Sequence, residues 1–129
     1  MENHKQRIGH WGEAVAAYYL EKHGYRIIGR NLRVSRAEID LITMFEKDPC
    51  APVVVFVEVK TRTNANFGLP EEAVDARKLE HIFRAAEEYL QQNPELSGFD
   101  WRIDVISIQG QPGARVEDVD ILHFENISA

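Results

Sequence analysis

The chain has little of what secreted, membrane-spanning or disulfide-linked proteins need. It contains a single cysteine, Cys50, in a turn-like stretch, so no disulfide can form within the chain. No apolar run is long enough to span a bilayer, and the first residues lack the apolar centre of a signal peptide. The histidines show no zinc-site spacing and have no cysteine partners. We therefore expect a cytoplasmic protein without a zinc site.

The chain also lacks a positive net charge, since 21 acidic residues outnumber 15 basic ones and give −6. This balance argues against a protein that coats nucleic acid nonspecifically, because such proteins are normally basic. The charges are unevenly distributed, however, and residues 26–37 include four arginines and no acid. Both a basic face on an acidic protein and an ordinary solvated surface are compatible with this pattern.

The 129 residues are enough for one compact domain and too few for two ordinary ones. Helical spacing of apolar residues predicts a first helix over residues 7–23, ended by Gly24. A second helix is predicted to begin at Pro70 and to stop before Pro94. Apolar and β-branched segments predict strands at residues 25–32, 36–45, 53–61, 101–108 and 116–124. The predicted fold class is α/β (α+β), with the order α-β-β-β-α-β-β in one domain.

The third predicted strand carries the most informative residues of the chain. It is an apolar, β-branched run until Glu58 and Lys60 appear near its end. Because side chains alternate between the faces of a strand, Glu58 and Lys60 are expected on the same side. Charges at the end of an apolar strand cost free energy unless they are paired or bound to something. The pair therefore predicts half of a functional site.

An acidic residue upstream, Asp40, supplies the other half. A hairpin whose loop is centred on Pro49 places Asp40 directly opposite Glu58. Carboxylates facing each other at about 5 Å repel by about 3 kcal/mol at an effective dielectric near 20. Either one carboxyl group takes up a proton or a cation lies between them, and Mg²⁺ or Mn²⁺ suits an oxygen-only site. The alternative is a surface ladder of ion pairs, Glu58 with Lys60 and Asp40 with Arg62, which contributes little.

A third carboxylate, Glu13, lies on the first helix. On a helical wheel it falls beside Gly9, Ala16 and Ala17, at the border of the apolar face. Small residues there would let the helix approach the sheet closely and carry the carboxylate inward. The alternative is a glutamate at the edge of the face that extends into solvent.

The second helix carries a basic stripe. Solvated helix surface is the interpretation we favour for it, and a role beside DNA is the alternative. The stripe consists of Arg77, Lys78, His81 and Arg84.

These features, taken in order, resemble the PD-(D/E)XK nuclease superfamily and, within it, the bacterial YraN-like family, which is similar to archaeal Holliday-junction resolvases. The resemblance covers nearly the whole chain. It implies a single nuclease-like domain over residues 1–129, with a restriction-endonuclease-like core in which helices flank a central mixed sheet. The matching segments are Gly9-x-x-Gly12-Glu13-x-x-Ala16, Asn31-x-Arg33, Glu38-Ile39-Asp40-Leu41-Ile42, Val55-Phe56-Val57-Glu58-Val59-Lys60-Thr61-Arg62 and Arg102-Ile103-Asp104-Val105.

The resemblance implies a role for each matching site residue. Asp40 and Glu58 would bind Mg²⁺ (or Mn²⁺), with the backbone carbonyl of Val59 as a third ligand. Lys60 would position the attacking water and stabilise charge. Glu13 would be the fourth catalytic residue, acting on the metal directly or through a water. The implied reaction is hydrolysis of phosphodiester bonds in DNA, including branched or otherwise structured DNA.

The resemblance also bears on partners. Arg33, Arg36 and Arg62 would contact phosphates, because a planar guanidinium can bind two oxygens. Resolvase-like relatives act as two-fold dimers, so a homodimer is compatible with the pattern, and no membrane partner is expected. An intact motif indicates a capacity to bind metal, not turnover. The alternatives are a catalytically silent module that binds nucleic acid or a protein, and a partner-binding subunit whose carboxylates hold structural calcium or ion pairs.

Overall fold

The computed structural model describes residues 2–63 and 76–127 of the chain. The strands form one five-stranded sheet in sequential order, in which β3 and β4 run parallel and the other neighbours antiparallel. This mixed sheet with its helices confirms the predicted α+β class and element order. The elements are α1 (His4–Lys22), β1 (Tyr25–Val34), β2 (Ala37–Phe45), β3 (Val53–Arg62), α2 (Ala76–Gln92), β4 (Asp100–Gln109) and β5 (Asp120–Phe124).

Helix α1 begins three residues earlier than predicted because Asn3 caps it. The Asn3 side chain accepts a hydrogen bond from the backbone N–H of Gln6 at 2.8 Å, and the Gln6 side chain accepts one from the Asn3 N–H at 3.0 Å. This reciprocal pair stabilises the start of a helix. At the other end Gly24 has a φ of 91°, which confirms the predicted glycine stop.

The fifth strand is shorter than predicted. The segment Val116–Asp118 is a 3-10 turn, and only Asp120–Phe124 is strand. The Arg115 side chain donates to the carboxylate of Asp118 at 3.1 Å, and the Asp118 N–H donates to the Arg115 carbonyl at 2.9 Å. These bonds close a turn where the apolar pattern predicted extended chain.

The second helix is described from Ala76 to Gln92. Its predicted start at Pro70 lies outside the described residues. The helix connects β3 to β4, and such a crossover is what allows these two strands to run parallel. Neither helix among the described residues is long and apolar enough to cross a membrane.

The sheet separates two apolar cores, and β3 contributes to both. Val54 and Phe56 pack in the core under α2, whereas Val55 and Val57 pack in the core under α1. All four side chains have no solvent exposure. The apolar half of β3 is therefore the centre of the molecule, and the charged residues begin on the α2 side of the sheet, while Val59 continues the core under α1.

The β2–β3 hairpin has the predicted register. Leu41 pairs with Val57, so the next pair outward would be Asp40 with Glu58. Backbone pairing stops at Leu41, however, and the Asp40 carboxylate instead accepts a hydrogen bond from the backbone N–H of Val59 at 2.8 Å. The two strands thus separate where the charged residues begin.

Helix α1 packs against β3 at Gly12, immediately before Glu13. A Cβ atom at Gly12 would lie 1.9 Å from the Thr61 hydroxyl oxygen and 3.0 Å from the Thr61 Cβ, so only hydrogen fits there. Gly9 plays no such part, because a Cβ atom at that position would meet nothing within 4 Å. The close approach predicted from small residues is therefore present, one turn later than Gly9.

We predict that Gly12→Ala destabilises the protein by about 1–3 kcal/mol, because the added methyl group forces helix and strand apart. Gly9→Ala is the matched control, and its better helix propensity should leave stability unchanged or raise it by about 1 kcal/mol. Urea unfolding measures both variants, and Gly12→Ala combined with Thr61→Ala should recover part of the loss. Equal effects of the two single substitutions would contradict this account of the contact.

Candidate functional site

A cleft of about 230 Å³ opens at the end of the sheet where β2 and β3 separate. The β1–β2 turn forms one wall, the ends of β2 and β3 form the floor, and α2 forms the other wall. Acidic and basic side chains dominate its lining. The lining residues are Arg36, Ala37, Glu38, Asp40, Glu58, Lys78, His81 and Ile82.

Glu58 is the most buried charged group of the cleft, with only 5% of its surface exposed. One of its carboxylate oxygens, Oε1, lies 2.6 Å from the Lys78 ammonium nitrogen and 3.5 Å from that of Lys60. Glu58 and Lys60 therefore do share a face of β3. A buried carboxylate is costly unless it is paired, and here two ammonium groups, from a strand and from a helix, provide the pairing.

Asp40 is half-buried beside Glu58 and carries an unfavourable charge. Burial, and then the negative charge of Glu58, raise the pKa of Asp40 from 3.8 to about 8, although the hydrogen bond from the Val59 N–H opposes the shift. The Asp40 carboxyl group is therefore substantially protonated at neutral pH. A cation placed near both carboxylates would remove this penalty.

Glu13 lies at the margin of the cleft rather than in its lining. Burial raises the pKa of Glu13, and the charges of Glu38 and, least, Glu58 raise it further, whereas His10 and a side-chain hydrogen bond with Asn31 lower it. Asn31 has a φ of 49°, a backbone conformation that asparagine tolerates better than most residues. Within residues 2–63 and 76–127, Glu13, Asp40 and Glu58 do not bring three ligand atoms within 4.8 Å of one another. The structure thus brings Asp40, Glu58 and Lys60 together and leaves Glu13 coupled to them electrostatically.

The two lysines near Glu58 differ in their tendency to hold a proton. Burial lowers the pKa of Lys60, and the neighbouring Lys78 lowers it further, whereas Glu58 raises it. Burial also acts to lower the pKa of Lys78, but its hydrogen bonds to Glu58 and Lys60 and the negative charges of Glu58 and Asp40 together outweigh burial, and the net shift is upward. Lys78 is therefore the firmly charged partner of Glu58, and Lys60 releases its proton more readily.

The interpretation of the α2 basic stripe as solvated surface was wrong for Lys78 and His81, which both line the cleft. Lys78 lies one helical turn before Ile82, which is 2% exposed and part of the core under α2. The spacing of four residues places both on the inward side of the helix. That spacing is the signal by which the sequence could have identified Lys78.

The three arginines that the resemblance assigned to DNA occupy different surroundings. Arg36 lines the cleft itself. The exposed Arg33 donates a hydrogen bond to the Glu38 carboxylate at 3.2 Å. Arg62 lies with Lys60 in a neighbouring depression of about 450 Å³, between the end of β3 and the start of α1. The basic residues thus flank the carboxylates on two sides.

A second cluster of ligand-type side chains lies on β4, β5 and the residues that follow. Asp104, His123 and Glu125 place one ligand atom each within 4.8 Å of one another, so this group could hold a metal ion. Asp104 is completely buried and accepts hydrogen bonds from Arg102 at 3.0 Å, His123 at 2.7 Å and the backbone N–H of Asn126 at 2.9 Å. Burial favours protonation, but these donors together hold the pKa of Asp104 below its usual value. The oxygens that a metal would need are already engaged by N–H groups.

Sequence reasoning missed this second cluster. Asp104 belongs to a segment that matches the nuclease superfamily, but no role was predicted for it. The histidines, His123 among them, show no zinc-site spacing. The residues come together because His123 pairs with Ile106 in the β4–β5 ladder. No short motif encodes that juxtaposition.

Comparison with known proteins identifies relatives over most of the chain. The model of uncharacterised protein family UPF0102 matches residues 12–108, which include every residue of the cleft. A UPF0102 protein of Caldanaerobacter subterraneus is 41% identical over 108 residues, 84% of each chain. That of Chloroherpeton thalassium is 46% identical over 101 residues, 78% of this chain and 74% of its own. That of Roseiflexus castenholzii is 33% identical over 124 residues, 96% and 94%.

Among solved structures, SfsA of Pyrococcus furiosus in complex with Ca²⁺ is similar at a TM-score of 0.33 and 14% identity. The likeness covers 89% of this chain and 60% of that one. A similarity this low carries no argument about fold or function.

We predict that the metal-free protein loses stability as the pH rises from about 4 to about 8. The pKa of Asp40 is raised on folding from 3.8 to about 8, so the folded state binds more protons in this window and rising pH favours unfolding. Asp40→Asn removes the titrating group, so its free energy of unfolding should fall less over the same window. Urea unfolding in EDTA at several pH values measures the slope, with the exposed Asp100→Asn as control. An unchanged slope in Asp40→Asn would show that this carboxyl group is not the source.

Proposed function

We propose that this chain, which belongs to the UPF0102 family, hydrolyses phosphodiester bonds in DNA with the help of a divalent metal ion. The observation that carries the proposal is the buried Glu58 beside Asp40 in an open cleft, with Lys60 3.5 Å from Glu58. Two neighbouring carboxylates that are partly or fully buried lower the stability of the folded protein unless they are paired with cations. Their position at the mouth of a cleft favours a role in binding and chemistry.

The donor groups of the cleft fit a hard divalent cation. Asp40 and Glu58 offer carboxylate oxygens, and the Val59 backbone carbonyl would add a third, a set that suits Mg²⁺ or Mn²⁺. Lys78 already holds a positive charge 2.6 Å from Glu58, so the position accommodates a cation. When bound, the metal ion would make a water molecule more nucleophilic and offset the charge that develops on the phosphate.

Lys60 and Glu13 would act on the water and the phosphate. The Lys60 ammonium would hold the attacking water and stabilise negative charge as the phosphorus–oxygen bond to the leaving group breaks. Burial raises the pKa of Glu13, which makes its carboxylate a better proton acceptor near neutral pH, directly or through a second water. Both groups lie on rigid elements, since α1 packs closely against β3 at Gly12.

The DNA backbone would be held by arginines on both sides of the carboxylates. Arg36 lies in the cleft and Arg62 in the neighbouring depression, and each would offer a guanidinium group to a phosphate. Arg33 would join them after releasing Glu38. With a net charge of −6, the protein would bind DNA through this side alone.

The nuclease superfamily and the kind of DNA substrate that we propose come from the sequence resemblance described above. We place the chain, as one domain over residues 1–129, with the PD-(D/E)XK nucleases, similar to archaeal Holliday-junction resolvases. Branched or otherwise structured DNA is then the substrate to test first. A homodimer would present two such clefts to one junction.

We predict that the pure protein cuts labelled branched or linear DNA when Mg²⁺ or Mn²⁺ is added. Asp40→Asn and Glu58→Gln should abolish cleavage, and Lys60→Ala should lower the rate by about a hundredfold or more. Lys47→Ala, in the exposed β2–β3 loop, is the matched control and should cut normally. Absence of cutting, or equal cutting by Lys60→Ala, would overturn the proposal. Binding of DNA without cutting would favour the silent module.

We further predict that metal-free DNA binding weakens as salt rises, because phosphate contacts release counterions. Arg36→Ala should reduce the slope of log affinity against log salt by about 1, as expected for one lost phosphate contact. Arg26→Ala is the control, since Arg26 is exposed at the opposite end of β1 and contacts Glu46 at 3.4 Å. Fluorescence anisotropy with a labelled duplex measures both. Identical slopes for the two variants would remove Arg36 from the binding surface.

A further inference from the structure

Lys78 reaches Glu58 from a different element and from the solvent side. Its ammonium nitrogen lies 2.6 Å from Glu58 Oε1, closer than that of Lys60 at 3.5 Å from the same oxygen. The side chain of Glu58 is 6% exposed, that of Lys60 18% and that of Lys78 40%. Lys78 is thus the closer and the more accessible of the two cations.

A divalent ion on Oε1 of Glu58 would lie close to the position that the Lys78 ammonium occupies. Mg²⁺ binds oxygen ligands at about 2.0–2.1 Å, and the Lys78 nitrogen lies 2.6 Å from Oε1. Two positive charges at such a separation repel strongly. Lys78 and the metal ion therefore compete for the same carboxylate.

We propose that the Lys78 ammonium exchanges with the metal ion on Glu58 and then binds a phosphate of the DNA in the cleft. In the metal-free protein Lys78 neutralises the buried carboxylate. When the cation arrives, Lys78 withdraws along the cleft wall, and Glu58 stays paired throughout. This inference rests on the proposed function, because it gives the same site a second task.

The surroundings of Lys78 suit this movement. Lys60 lies two residues from Glu58 on the same strand and is less exposed, so it has less room to withdraw. Lys78 projects from α2, and the cleft wall beside it also holds His81 and Arg36. A displaced Lys78 would remain among phosphate-binding groups while the cleft gains the charge of the metal ion. The exchange would thereby turn an ion-paired cleft into one that accepts a phosphodiester.

The direct test is Mn²⁺ binding by calorimetry without DNA, in the wild type, Lys78→Met and Arg77→Met. Removing the competing cation should tighten Mn²⁺ binding, by about tenfold if Lys78 leaves Glu58 in a tenth of wild-type molecules. Arg77→Met removes the same charge from an exposed neighbour that does not line the cleft, and it reports the general electrostatic effect. Lys78→Met affinity that is weaker than, or equal to, that of Arg77→Met would overturn the exchange.

Thermal unfolding gives a second readout that a merely structural lysine would not produce. Without metal, Lys78→Met should melt at a lower temperature, because buried Glu58 loses its nearer partner. Added Mn²⁺ should then raise its melting temperature more than that of the wild type. Lys78→Gln, which can still hydrogen-bond to Glu58, serves if Lys78→Met fails to fold. An equal Mn²⁺ shift in variant and wild type would count against the exchange.

Binding of a phosphorothioate duplex in the presence of Mn²⁺ tests the second task. Lys78→Met should bind this DNA more weakly than Arg77→Met does, and equal affinity would refute the phosphate contact. If Lys78→Met binds Mn²⁺ more tightly than Arg77→Met but no DNA is cut, the proposed function fails and the exchange on Glu58 stands. If DNA is cut but Lys78→Met binds Mn²⁺ no more tightly than Arg77→Met, the exchange fails alone.

Discussion

The hydrogen bond from the Val59 N–H to the Asp40 carboxylate holds the functional end of this molecule together. Beyond Leu41 and Val57 the two strands no longer pair through their backbones, and this side-chain bond of 2.8 Å connects them instead. It satisfies a backbone donor that the open cleft would otherwise leave without a partner. It also fixes the position of one Asp40 carboxylate oxygen, and thereby the orientation of the whole carboxylate group. The shape and charge of the cleft depend on this bond, in which the Asp40 carboxylate takes the place of a backbone carbonyl of β2 as the acceptor.

The buried part of β3 stabilises the strand and so offsets the cost of the charged residues at its end. Four consecutive side chains, Val54 to Val57, are fully buried in the two cores and anchor the strand on both faces. Parallel pairing with β4 continues alongside the charged residues to Arg62. Glu58 and Lys60 therefore project from a backbone that cannot easily shift, and α2 brings Lys78 to them across the face of the sheet. Rigid positioning of this kind is what a catalytic or binding group requires.

The fold and part of the site were predictable from the sequence. Alternation along β3 placed Glu58 and Lys60 on one face, and the loop around Pro49 predicted the hairpin register, because both depend on local geometry. Lys78 was misjudged because its contact with Glu58 crosses between elements, and a charged helix residue is ordinarily solvated. The start of the fifth strand was predicted wrongly because hydrogen bonds between Arg115 and Asp118 close a turn where extended chain was expected. For Glu13, helical spacing indicated the inward side but not the final distance to the other carboxylates.

The buried Asp104 network has a consequence for how this chain can change over time. Arg102, His123 and the Asn126 backbone all satisfy one fully buried carboxylate, and Arg102 also donates to the Tyr25 hydroxyl at 2.7 Å. Removing the Arg102 or the His123 side chain would leave the buried Asp104 carboxylate with fewer donors, which is costly. Drift at these positions must therefore proceed through compensating pairs, or not at all. In a lineage that accumulates replacements freely on its surface, we expect the residues of this network to be replaced more slowly.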